Sequence, residues 1–101
     1  MMSAELEAVE KDFFHGGLTV GTSVVQITDN QSRLMKGIII KADAANTNVI
    51  YIGGPHVATS GATTKGLALS SGEGVYIPLA FAHELYAIAG AASQNLSFFA
   101  V

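Results

Sequence analysis

Gly37-Ile-Ile-Ile-Lys-Ala42, Asn48-Val-Ile-Tyr-Ile-Gly-Gly54 and Gly74-Val-Tyr-Ile-Pro-Leu79 are three apolar runs within Lys36–Leu79, separated by clusters of turn-forming residues. Each run has the length of a strand and is rich in β-branched and aromatic side chains, which suit a pleated, half-buried surface better than a helix. The breaks carry turn chemistry. Asp43-Ala-Ala-Asn-Thr-Asn48 offers short polar side chains that can bond their own backbone, read as an Asx-type turn rather than a calcium loop. Gly53-Gly54-Pro55 and Ser70-Ser-Gly-Glu-Gly74 supply positive-φ positions and one fixed φ. Ile38, Ile39 and Ile40 are apolar on both faces, the mark of a strand covered on both sides or of one whose outer face meets a partner. Ile39 is placed at the centre of this buried strand.

Upstream, Gly16-Gly17 reads as a tight turn leading into a short first strand at Leu18-Thr-Val-Gly21. Ser23–Thr28 alternates, with Val25 and Ile27 inward and Val24, Gln26 and Thr28 outward. Downstream, His56–Lys65 is polar and without periodicity, a surface loop before a short strand at Gly66–Leu69. Pro78–Ala92 is ambiguous, because Ala, Leu and Glu favour a helix. The preferred reading is a turn or short helical turn at Ala80–His83, then a strand to Ala89 that pairs with the final run Asn95–Val101; a longer helix is the alternative. Eight short strands without a repeat or a linker predict an all-β, single-domain β-sandwich or jelly-roll-like barrel of about 7–8 antiparallel strands.

Residues 1–12 read as a separate arm ahead of a β domain over 13–101. Ser3–Lys11 has a helical pattern: Glu5 and Glu7 occupy the first turn, and Leu6, Val9 and Phe13 share a face with Met2. Such a helix is too short to stand alone. It needs a surface, its own domain or another subunit, and Leu6, Val9 and Phe13 are the candidate contact residues; a frayed tail is the other reading.

Half of the 101 residues are hydrophobic, but 15 of them are Ala, and no window approaches a membrane span. Charged residues make up 13%, against about 25% in a typical soluble domain. The surface is therefore rich in Ala, Ser, Thr, Asn and Gly, which suits permanent burial against a partner or serves simply as uncharged solvation. Glu5, Glu7, Glu10 and Asp12 against Lys11 place the net charge of −3 ahead of Phe13. The balanced remainder has no basic patch with which to neutralise phosphates, which argues against nucleic acid and anionic membrane. With no Cys there is no disulfide or thiolate metal site, and Met1–Glu7 has no secretion-signal pattern.

Site chemistry is sparse. His15, His56 and His83 lack metal-ligand spacing, and His83-Glu84 has Ala87 where a zinc helix needs a second His. Gly61–Gly66 and Gly72–Ile77 fall short of phosphate-loop and dinucleotide patterns, and no Ser sits in a G-x-S-x-G elbow. The expectation is no enzyme, no metal and no cofactor. Tyr51, Tyr76 and Tyr86 fall on three strands, where their amphipathic rings can line a sugar-binding face or serve as ordinary strand residues.

The succession Lys36-Gly-Ile-Ile-Ile-Lys-Ala42, an Asn-rich turn, Val49-Ile-Tyr-Ile-Gly-Gly54, a Thr/Ser/Gly loop, Leu69-Ser-Ser-Gly-Glu-Gly-Val75 and Leu85-Tyr-Ala-Ile-Ala89 resembles small β-domains of tailed-phage virion proteins over residues 18–101. The resemblance implies a non-enzymatic capsid decoration or cement protein, made in the host cytoplasm and residing in the virion. Its partner would be the major capsid protein or another virion protein. Low charge and apolar strands on both faces favour a homo-oligomer, and the resemblance puts a trimer ahead because cement proteins of this kind often sit at threefold or quasi-threefold positions. A carbohydrate- or receptor-binding module of a tail or fibre, or a neck or tail adaptor, is the alternative.

Overall fold

The computed structural model describes residues 13–101; the helix expected over Ser3–Lys11, and with it Leu6 and Val9, lies outside the described residues. Among the described residues eight strands follow one another: β1 (Phe14–Val20), β2 (Val25–Gln26), β3 (Gly37–Ala42), β4 (Ile50–Gly53), β5 (Leu67–Leu69), β6 (Gly74–Pro78), β7 (Tyr86–Ala89) and β8 (Gln94–Ala100). A 3-10 turn, Ala82–Glu84, precedes β7. The pairings between these strands are all antiparallel, in two four-stranded sheets: sheet I in the order β1-β8-β3-β6 and sheet II in the order β2-β7-β4-β5. The all-β expectation holds, and Pro78–Ala92 resolves as turn and strand rather than a long helix.

The two sheets enclose one core. Ile38, Ile40, Ala42, Leu96, Phe98 and Ala100 line it from sheet I, and Ile50, Ile52, Leu69, Ala87 and Ala89 from sheet II. Period-two alternation accounts for this directly: β8 buries Gln94, Leu96, Phe98 and Ala100 and exposes the residues between them. Burying an aliphatic side chain of this size stabilises by about 1.5–3 kcal/mol before ordering costs.

Four local readings change. Gly16-Gly17 is not a turn; β1 runs straight through it. A Cβ at Gly16 would stand 2.9 Å from the Phe98 ring, so glycine here makes room for an aromatic on the neighbouring strand. β7 and β8 do not pair with each other, because β7 joins sheet II and β8 joins sheet I. Both strands carry a small or apolar inward row, so the Gly90–Ser93 connection takes the chain over the end of the core rather than back along one sheet. Ser93 adopts φ 64 in making that crossing. The second strand is only two residues long, although Ile27 is buried and Val24 exposed as expected. Ile39 is not in the core: it points out of sheet I and is 48% exposed, between Ile38 and Ile40 at 0%.

The Asp43–Asn48 turn is tied down by side chains. Asp43 Oδ1 accepts from the Ala45 N–H at 3.1 Å, the Asx geometry. Buried Gln94 accepts from the Thr47 and Asn48 N–H groups at 2.8 and 2.9 Å and donates to the Ala92 carbonyl at 2.9 Å. Asn46 and Asn95 exchange bonds of 2.9 and 2.8 Å between side chain and backbone. At the Ser70–Glu73 turn the Glu73 N–H donates to the Ser70 carbonyl at 3.0 Å. Gly72 supplies the φ of 81° there, a conformation that costs an L-residue about 1–2 kcal/mol.

Candidate functional site

With inward positions of sheet I committed to the core, the alternate positions form an outer face. The register places His15 opposite Phe99, Phe99 opposite Ile39 and Ile39 opposite Tyr76, a single row crossing all four strands. Phe13 joins this row from the start of β1, its ring centroid 5.9 Å from that of Phe99. Phe13, Ile39, Phe99 and Tyr76 are 49, 48, 41 and 53% exposed. The Tyr76 hydroxyl donates to the Lys36 carbonyl at 3.0 Å, which holds the ring across the face.

A large aromatic or aliphatic side chain can bury about 150–250 Å², so four such residues at half exposure present roughly 400 Å² of apolar surface. Isolated exposed apolar residues need no explanation, but contiguous patches of about 300–600 Å² on a single chain are often functional. The adjoining row of Gly17, Ser97, Lys41 and Gly74 is small and carries only one charge. The face is therefore weakly charged and apolar along one transverse line.

The three tyrosines do not form one surface. Tyr76 lies on the outer face of sheet I. Tyr51 and Tyr86 lie on the outer face of sheet II, where Tyr51 is opposite Ile88 and Tyr86 is opposite Gly53. Lys65 Nζ stands 5.7 Å from the centroid of the Tyr51 ring, within cation–π range. Beside it the long β4–β5 connection forms a shallow cleft of about 410 Å³ lined by residues that include His56, Thr63, Thr64 and Lys65. Among the described residues, no group of three or more His, Asp or Glu side chains is placed to hold a metal ion, and no helix is long and apolar enough to cross a membrane.

Of the arm residues, Phe13 alone is described, and it belongs to the sheet I face through its contact with Phe99. Phe99 was not singled out by the sequence, and His15 only as a histidine without metal-ligand spacing. The signal for Phe99 was present in the adjacent pair Phe98-Phe99, since alternation must send one of two consecutive strand residues outward. Comparison of the chain with family models, with curated proteins and with solved structures finds no match.

Proposed function

We propose that the protein is a non-enzymatic structural component of a phage virion, a capsid decoration or cement protein that lays the outer face of sheet I across neighbouring capsid subunits. The observation that carries this reading is the exposed row of Phe13, Phe99, Ile39 and Tyr76. The resemblance of residues 18–101 to small virion β-domains supports it. So does the strand order 1-8-3-6 and 2-7-4-5, which we read as a jelly roll, an architecture used by viral capsid and lectin domains; fold alone assigns no function.

Magnitudes say what else such docking needs. About 400 Å² of apolar surface is worth roughly 10 kcal/mol at 25 cal/mol/Å², while association costs about 4–15 kcal/mol. The face also amounts to about half of a standard interface side of roughly 800 Å². Further contacts must therefore contribute, and Leu6 and Val9 of the acidic arm are the nearest source in sequence. A chain that binds the assembled shell and not free subunits stabilises the shell by mass action. The partner is then the major capsid protein, and the site of action is the virion.

The test uses particles assembled with the wild-type chain or with Ile39→Asp combined with Phe99→Asp. Both side chains are outside the core, so the circular dichroism melt should stay cooperative. Occupancy on purified particles should fall about tenfold or more, because each change sets an unpaired charge into the contact. Undiminished occupancy, or a particle map with the chain on the tail, would sink the decoration reading.

A second reading rests on the Tyr51 and Tyr86 face and its adjoining cleft: a carbohydrate- or receptor-binding module of a tail or fibre. Glycan-array binding lost on Tyr51→Ala and kept on Tyr76→Ala would favour it. A neck or tail adaptor would show neither glycan binding nor shell occupancy.

A further inference from the structure

A sheet edge is a row of unpaired backbone donors and acceptors, and proteins blunt such rows with short strands, charges or proline. Two sheets of four strands have four edges, and here they are unequal. β2 is two residues long and β5 is three. β6 is five residues long but ends in Pro78 and follows Glu73 directly. β1 runs for seven residues, Phe14-His-Gly-Gly-Leu-Thr-Val20, with no Lys, Arg, Asp, Glu or Pro. Its ladder to β8 occupies one side, and among the described residues no strand occupies the other.

Burial along β1 is correspondingly unfinished. Phe14 and Leu18 point towards the core yet are only partly buried. Both sit on the strand where sheet I stops. An added strand would cover them.

We propose that β1 pairs antiparallel with β1 of a second copy of this chain, about a two-fold axis at Gly17, joining the two sheets I into one eight-stranded sheet. The sequence of β1 is self-complementary in that register. Phe14 meets Val20 of the second copy and Gly16 meets Leu18 on the inward face, while His15 meets Thr19 on the outer face. Gly17 meets itself, so no bulky side chain is forced onto its own image at the axis. Inward residues stay inward across the junction, as a continuous sheet requires, no like charges are opposed, and the contact closes as a dimer. The chain's own first twelve residues are the rival occupant. Their Glu5, Glu7, Glu10 and Asp12 and their helical spacing make them poor strand material.

The pairing uses the edge of sheet I and not its apolar face, so it stands or falls independently of the virion reading. Sedimentation of the full 101-residue chain from low to high micromolar concentration should show a species of twice 10.4 kDa. His15→Lys with Thr19→Lys alters two exposed outer-face positions and sets ammonium groups opposite each other on both sides of the axis. It should raise the dimer dissociation constant about tenfold or more at low salt, with the cooperative melt retained. His15→Lys with Thr19→Glu opposes unlike charges in the same register and should restore the dimer. Should the doubly basic variant fail to fold, amide exchange on the native chain decides: β1 protection should rise with protein concentration while β6 protection does not. A species of one or three chain masses at high micromolar concentration, a dimer indifferent to the two lysines, failure of the Lys/Glu variant to recover, or concentration-independent β1 exchange would each overturn the proposal.

Discussion

Ile38 and Ile39 are chemically identical neighbours that the fold sends in opposite directions, so truncating each to Ala isolates burial from everything else. Ile38 is 0% exposed in the core and Ile39 is 48% exposed on the outer face of sheet I. Ile38→Ala removes three buried carbons, about 2.4 kcal/mol at 0.8 kcal/mol each. The cavity left behind in a closed core raises the cost into the range of about 2–5 kcal/mol. Ile39→Ala gives up roughly half of the transfer contribution and leaves no enclosed void, so about 1 kcal/mol. The loss of β-branching is common to both variants and cancels in the difference. Urea unfolding at one protein concentration, followed by circular dichroism, is the assay; with m of about 1–2 kcal/mol/M, a loss near 3 kcal/mol lowers the midpoint by roughly 1.5–3 M. In heat, 3 kcal/mol corresponds to about 12–24 °C for a domain of this size. Equal losses for the two variants, or a larger loss for Ile39→Ala, would refute the inward and outward assignment of β3 and with it the apolar row.

Gln94→Ala should cost about 1–3 kcal/mol, since it strands the Thr47 and Asn48 N–H groups that the side chain now satisfies; chemical denaturation measures it, and loss below about 0.5 kcal/mol would mean that water replaces the amide. Gly16→Ala should destabilise by about 1–3 kcal/mol because its Cβ meets the Phe98 ring. Gly54→Ala, where a Cβ meets nothing within 4 Å, should stay within about 0.5 kcal/mol. A double-mutant cycle of Gly16→Ala with Phe98→Leu should show a coupling of roughly 0.5–3 kcal/mol, and additivity would show that the ring does not set the need for glycine.

The strands themselves were legible because β-branched runs and turn residues mark local conformation, which short stretches encode. What lies on either side of a strand is not local. Three isoleucines in succession leave open which one faces out, and only the partners of β3 decide, since a shift of one residue would invert the set. Gly16-Gly17 has the local signature of a turn and is overruled by Phe98, an aromatic far along the chain that needs the space. Tyr51, Tyr76 and Tyr86 were correctly placed on strands, but alternation says nothing about sheet membership, so the sequence left Tyr76 grouped with two residues from which the fold separates it. Pairing β7 with β8 followed the habit of neighbouring strands to form hairpins; here both have inward rows that serve one core from opposite sides.

The place of β8 between β1 and β3 bears on how the chain acquires its shape during synthesis. The strand that joins the first and third into one sheet is the eighth, so those two wait with open edges until residues 94–100 have emerged. Such non-local pairing pays its loop-closure entropy early and is rewarded late, which slows folding and lengthens the time for which strands rich in isoleucine are available to other chains. It also makes completion abrupt. Before residues 94–100 arrive, β3 and β6 can pair with each other but β1 has no partner in sheet I; once they arrive, both ladders of β8 can form together.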